Sequence, residues 1–452
     1  MYSIQRCLSL TVVLCLLAAC APASNNSNSV SINNPTPSPS AAVSPSPAKS
    51  ETASVQITLP LLDALLTDEK FVGQLKSNLI LTDDQVAQLK RVSSAAIDHL
   101  RETNAEDVDG VSSTDARNHA SEQLRTILGD EKSKQLASLV NDYWSKGDVT
   151  AGSENPNQPQ MSATPNAVPT DTRVVVNIPA FRMDLFQDGK LVKSYKVGIG
   201  YPEFPLPIGL RKANQVIFNP TWTPPDSPWV AKMKNVTAGE TIQPGDKDNP
   251  LGPIKIPIGL PSLIHGGKSP AKIGKFASHG CVGLTTEQMK DFTVQLGRAS
   301  NTSEVNEQSM ANYIKDKEHT KTVKLSQTVP VELRYETIVL EDGKLHIYKD
   351  VYAQDTNTEE NLRQVLSANG VNFDDLSQQQ KTDALNALNT LSAHPTASSS
   401  PSPEASPKKK TKKPAAKPQN EIVIDLSGVS GVAQKGYPAP VDLDTGGAKR
   451  RT

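Results

Sequence analysis

Hydrophobic residues fall along this chain in blocks of different period. A mainly apolar run from Cys7 to Ala19 follows a single basic residue, Arg6. Between residues 55 and 147 apolar positions recur at helical spacing. Val86, Leu89, Ala96, Ile97 and Leu100 form one set, Leu124, Ile127 and Leu128 a second, and Leu136, Leu139, Val140, Tyr143 and Trp144 a third. Gly129-Asp130 breaks the last two sets. Thr82-Asp83-Asp84-Gln85 puts a capping hydroxyl three residues before a glutamine, the capping-box pattern that opens a helix. From Asp171 the period shortens: Val174, Val176 and Ile178 alternate with Val175 and Asn177, and Asp188-Gly189 sits between two short runs as a hairpin turn would. Further strand-like pieces lie at 215–218, 329–335, 337–340 and 345–348, predicting a mostly β domain over 171–355. Residues 358–392 read as two short helices.

Between these blocks the chain is polar and rich in proline. Its 34 prolines outnumber its 26 glycines and crowd into Ser/Ala/Lys-rich stretches that cannot bury a core. The expected organisation is multidomain. A signal segment (1–20) and a disordered tether (21–54) precede a helical module (55–147) and a linker (148–170). The β domain (171–355) is followed by a short helical extension (356–393) and a disordered basic tail (394–452). Lys408, Lys409, Lys410, Lys412, Lys413 and Lys417 in that tail could grip an anionic polymer or simply be solvated. The 452 residues carry a net charge of −1, which argues against a nucleic-acid coat protein, and no nucleic-acid partner is expected. Cysteine occurs at positions 7, 15, 20 and 281 alone, too sparse for a disulfide scaffold or a multi-cysteine zinc module.

The N-terminal apolar run is too short to span a bilayer comfortably and has the shape of a secretory signal. It ends in Leu17-Ala18-Ala19-Cys20, which resembles the bacterial lipobox. That resemblance implies cleavage before Cys20 and acylation of its thiol and amine, with several acyl chains giving firm anchoring. An ordinary cleaved signal with an incidental cysteine is the alternative. The protein is therefore expected in the cell envelope, lipid-anchored and facing the periplasm or wall. No Asp follows Cys20, so inner-membrane retention of the enterobacterial kind is not signalled. The mature chain would keep one thiol, Cys281.

That thiol lies in the segment IHGGKSPAKIGKFASHGCVGL, 264–284, with His265, Ser278, His279 and Gly280. A thiol ionises with a pKa of about 8.5 and attacks carbonyls poorly until it does. A nearby imidazole can take the proton and hold a thiolate–imidazolium pair. Gly280 lets the backbone pass close to a bound carbonyl, and the amides of Gly280 and Cys281 could face a developing oxyanion. A Cys/His/His zinc site and a buried structural cysteine are competing readings. Lys268, Lys272 and Lys275 lie between the two halves of the segment. They could attract carboxylates or form a solvated basic loop.

The segment resembles the catalytic signature of L,D-transpeptidases of the YkuD family, a His-Gly pair followed by Ser/Thr-His-Gly-Cys. The likeness runs from about Arg173 to Asp355. It includes Asn219-Pro220-Thr221-Trp222 before Pro224-Pro225, the block Asn249-Pro250-Leu251-Gly252, and the closing VPVELRYETIVLEDGKLHIYKDVY. The resemblance implies a β-sandwich-like catalytic domain that needs no cofactor or metal. Cys281 would be the nucleophile and His265 its general base. Ser278 and His279 would shape the pocket, and N–H groups around His279, Gly280 and Cys281 would form the oxyanion hole. The substrate would be a peptidoglycan tetrapeptide stem, acylating the thiol with loss of D-alanine. An amine from a neighbouring stem would then resolve the thioester into a cross-link, in the service of wall biogenesis and cell shape.

An L,D-carboxypeptidase, a transferase that anchors a protein to the wall, and a non-catalytic membrane-to-wall tether are the alternatives. One departure stands out: many family members carry Arg or Asn two residues after the cysteine, where this chain has Gly283. The helical module is read as a spacer or as a contact module for an envelope protein. Its Leu81-Thr82-Asp83-Asp84-Gln85 is similar to the LTxxQ signature of Spy-like envelope proteins.

Overall fold

The computed structural model describes residues 57–102, 113–146, 164–224, 230, 233–259, 262–393, 420–430, 432 and 436–447. The signal segment with Cys20, the tether, most of the 148–170 linker and the lysines of the basic run lie outside these residues.

Four helices build the N-terminal module: α1 (Leu59–Leu66), α2 (Glu69–Asn78), α3 (Asp83–Glu102) and α4 (Ser113–Lys146). The first three starts are chemically marked. Thr58 and Asp68 cap α1 and α2 with side-chain oxygens. At α3 the expected box closes in both directions, Gln85 N–H on Thr82 Oγ1 at 3.2 Å and Thr82 N–H on Gln85 Oε1 at 3.1 Å. The α4 segment is two helical stretches kinked at Gly129, whose φ of 79° and ψ of 168° leave the helical region where the apolar pattern breaks. Leu62, Leu65, Phe71, Leu75, Leu89, Leu136 and Val140 interlock as one core.

The β domain is a single eight-stranded mixed sheet in the order β3-β2-β1-β10-β5-β6-β7-β9. Its strands are β1 (Arg173–Asn177), β2 (Arg182–Gln187), β3 (Lys190–Lys196), β5 (Gly209–Phe218), β6 (Ile254–Pro257), β7 (Leu263–His265), β9 (Val282–Gly283) and β10 (Lys321–Arg334). A separate parallel pair joins β4 (Ile199–Gly200) to β8 (Phe276–Ser278). The expected hairpin turn is present at Asp188 and Gly189, both at positive φ. The mostly β, sandwich-like domain expected from the resemblance is built here from one main sheet. One sheet curls until its ends meet: β3 runs on to Gly198, which exchanges two 2.8 Å backbone hydrogen bonds with Gly283 of β9, the opposite edge. Helix α5 (Thr286–Ala299) fills the concave side with Met289, Phe292 and Leu296, followed by α6 (Glu307–Lys315). Strand β10 sits between β1 and β5, so the sheet is complete only with residues beyond 320.

The C-terminal region corrects one expectation. Residues 394–452 do not form a wholly disordered tail. Glu421–Asp425 is a strand, β13, which pairs with β12 (Lys344–Tyr348) and through it with β11 (Ile338–Glu341). Helices α7 (Glu359–Ala368) and α8 (Gln378–Leu391) pack on these strands through Leu362, Leu366, Leu388 and Leu391. The chain then returns to the main sheet. Val441 O and Asp444 O accept from Ser194 N and Lys196 N at 2.9 and 2.8 Å, covering the β3 edge. Low hydrophobicity hid this strap, since its partner is a backbone edge rather than an apolar face.

Cover on the outer face also explains why Val174, Val175 and Val176 are all buried. The middle residue packs with Phe186, Val339, Tyr348 and Tyr437. Beside this cluster lies a buried charge network, in which Arg182 reaches Asp184 and Glu341, and Glu332 accepts from Arg173 and Arg334.

Candidate active site

Strand register assembles the site. In the parallel pair of β7 and β9, Ile264 lies opposite Val282 and His265 opposite Gly283. Ile264 and Val282 belong to the hydrophobic core, so strand alternation turns His265, Gly283 and Cys281 to the other face. On the far side of β7, antiparallel β6 sets Lys255 directly opposite His265, while its neighbours Ile254 and Ile256 enter the core. One face of three strands therefore carries Lys255, His265 and Cys281. The two halves of the sequence motif meet because β7 and β9 are neighbours, with the intervening loop and β8 bulging out between them.

His265 is buried, and its Nδ1 lies 2.8 Å from the carbonyl oxygen of Gly266. A carbonyl can only accept, so Nδ1 carries the proton toward Gly266, and the carbonyl of Leu251 is a second backbone partner of the ring. Burial, and then repulsion from Lys268, lower the pKa of His265 to about 3. The imidazole is therefore a neutral acceptor at physiological pH. Desolvation pushes the Cys281 thiol above its ordinary value, opposed by a backbone hydrogen bond with Leu263 and by the charges of Lys268 and Lys255. Both shifts, the imidazole's downward and the thiol's upward, favour the neutral forms of the two groups.

Ser278, expected to shape the pocket, bonds to the backbone of Cys281. Its Oγ donates to Cys281 O at 2.6 Å and accepts from Cys281 N at 3.0 Å, bracing the turn that carries the thiol. The Cys281 amide is thus occupied, and Gly280, at φ 91°, is the turn residue whose N–H has no assigned acceptor among the described residues. His279 is exposed at the rim, its ring 4.7 Å from Phe204 and 5.6 Å from Tyr201. Desolvation by such neighbours, then the charge of Lys268, lower its pKa to about 4. Of the three loop lysines, Lys268 and Lys272 are half-buried and Lys275 is exposed. Among the described residues no three His, Cys, Asp or Glu side chains converge.

One contributor had no sequence signal of its own. Lys255 reads as one polar residue in an apolar strand, and only register places it at the site. The Asn249–Gly252 block acts through its backbone: Gly252 and Gly267 approach so closely that a Cβ on Gly252 would lie 2.7 Å from Gly267 N. Asn219 donates to the carbonyls of Tyr313 and Asp316 at 2.7 and 2.6 Å, and Asn249 to that of Pro220 at 2.8 Å, so both hold loops rather than substrate. The wall around His279 is tied to the helical module. Thr58 Oγ1 donates to Glu203 O at 3.1 Å, and Tyr352 OH bridges Gly200 O and Leu206 N at 2.8 and 3.2 Å. Arg117 of α4 donates to the carbonyls of Tyr352 and Ala353.

Residues 171–306 match the family model described as the L,D-transpeptidase catalytic domain, YkuD. The chain is 33% identical over 141 residues to a probable L,D-transpeptidase, YbiS, of Escherichia coli K12, an alignment covering 30% of this chain and 44% of that protein. It therefore spans less than half the length of that curated relative. Similar solved structures include the catalytic domain of the E. faecium L,D-transpeptidase, at 18% identity and TM-score 0.23, covering 37% of this chain and all of that one. Another is an L,D-transpeptidase from Mycobacterium smegmatis, at 14% identity and TM-score 0.22, covering 36% of this chain and 58% of that one. The chain thus carries an L,D-transpeptidase catalytic domain, whose sheet also recruits β10 beyond the matched residues.

Proposed function

We propose that this protein cross-links peptidoglycan stems through a thioester on Cys281, releasing D-alanine from a tetrapeptide donor. The observation that carries the reading is the shared face of β7 and β9. There a buried imidazole stands on the strand beside the one that follows the thiol. In the first half-reaction His265 takes the thiol proton as Sγ attacks the carbonyl of the third stem residue. The Gly280 N–H is placed to donate to the oxyanion. The same proton passes to the departing amine as the C–N bond breaks, leaving a thioester. In the second half, His265 takes a proton from the attacking stem amine, the new amide forms, and the proton returns to Sγ. One amide is broken and one made, so no nucleotide is consumed.

Lipidation of Cys20 and the long tether would place this chemistry in the envelope, held to a membrane and within reach of the wall. The helical module, seated on the 200–206 loop, is the surface on which an envelope partner would act. Intact-mass spectrometry of the full mature chain with a tetrapeptide donor tests the reading. An acyl adduct that Cys281→Ala abolishes, with dimeric muropeptide products, is expected. Failure of the wild-type chain to form an adduct with either the donor or a carbapenem would sink it, and tripeptides without dimers would reject transpeptidation in favour of hydrolysis.

A further inference from the structure

Gly283 stands where many YkuD-type domains carry Arg or Asn, and the structure shows what uses that space. A Cβ on Gly283 would lie 2.8 Å from Lys268 Cγ and 2.9 Å from Lys268 Cε. The lysine side chain lies directly across the strand that follows the nucleophile. Its backbone is fixed there by a 3.0 Å hydrogen bond from Lys268 N to Leu284 O. Lys255 approaches from the other side of His265, on β6. Both lysines are half-buried, and the charges of both act on the Cys281 thiol. Two ammonium groups thus converge on a site whose own anion, when formed, carries a single charge. After acylation that charge is gone, since a thioester is neutral.

The remaining positive charge calls for an anion from the substrate. In a donor that loses its last amino acid, the terminal carboxylate is one residue beyond the attacked carbonyl, and so close to Sγ. We propose that Lys268 is the carboxylate-recognising residue of this enzyme, binding the free C-terminal carboxylate of the donor stem, and that Gly283 provides the space its side chain occupies. Lys255, beyond His265, serves the thiolate. Lys268, in the loop after β7 and lying over Gly283 of β9, serves the leaving residue. The pair would restrict the enzyme to removing a single terminal residue, because an internal peptide bond has no carboxylate at that point. This assignment rests on the transpeptidase reading above.

The test compares acylation of the full mature chain by two tetrapeptide donors that differ only in ending as a free acid or an amide. A charge-assisted hydrogen bond of this kind gives the wild type a preference for the acid of about 10- to 100-fold in kcat/KM. Lys268→Met should collapse that ratio to within about threefold, and Lys268→Arg should keep most of it. In Lys268→Ala the crowding atoms are gone, and adding Gly283→Arg should restore the preference from the neighbouring strand. Thermal unfolding of each variant separates misfolding from loss of recognition. A Lys268→Met enzyme that is slower with both donors by the same factor, or that keeps the preference, overturns the assignment. A wild-type chain acylated by neither donor overturns the transpeptidase reading itself, a different result.

Discussion

Removal of the Ser278 hydroxyl isolates the brace beneath the nucleophile. Ser278 is buried, and its two hydrogen bonds to the Cys281 backbone hold a turn that also needs Gly280 at positive φ. Ser278→Ala deletes both bonds and leaves the Cys281 N–H and C=O to find other partners. At about 1 kcal/mol net for each bond, the turn loses roughly 2 kcal/mol of ordering. If the thiol is competent only when the turn is formed, that converts to about a 30-fold fall in acylation rate. The effect should be local, because the turn lies outside the hydrophobic core. The assay pairs the rate of acyl-enzyme formation, read by intact mass, with iodoacetamide alkylation and thermal unfolding. Ser278→Thr, which keeps the hydroxyl, should retain most of the activity. An alanine variant that acylates within about threefold of wild type would refute the brace as the source of competence.

Four further outcomes follow from the same structure. Arg182→Ala strands the buried carboxylates of Asp184 and Glu341 and should cost about 3–5 kcal/mol in chemical denaturation; a loss below about 1 kcal/mol would mean that the network is solvated. Acylation should stay nearly constant as pH falls from 8 to 5, because His265, with its pKa lowered to about 3, remains neutral there; a midpoint near 6.5 would contradict the buried, depressed imidazole. The same shift has a sign for stability: the unfolded chain takes up the His265 proton first, so this contribution is complete above about 6.5 and is lost as pH falls toward 3. Deleting residues 437–452 removes the strap on β3 and the Tyr437 hydrogen bond to Asp184, and should give earlier aggregation on heating, measured by light scattering.

Much of this protein is legible in its residues. The capping box at Thr82, the break at Gly129, the Asp188-Gly189 turn and the His265 and Cys281 segment are all encoded locally, by side chains that act within a few positions of themselves. Period and capping therefore predict the helical module and the hairpin without any distant contact. The buried charges of Arg173, Arg182, Glu332 and Glu341 read as ordinary surface residues in strands. Only the cover of the C-terminal strands removes them from water.

The chemistry divides along the same line. Residue type alone supplied a candidate nucleophile, a candidate base and a glycine turn, because a thiol and an imidazole in that spacing have few roles. Pairing across β6, β7 and β9 decided which side chains share a face, and so brought in Lys255 and seated Lys268 over Gly283. Strand register is a long-range choice made by core packing, and it moves every side chain to one face or the other. That is why the motif could be read from the chain, while its electrostatic surroundings required the fold.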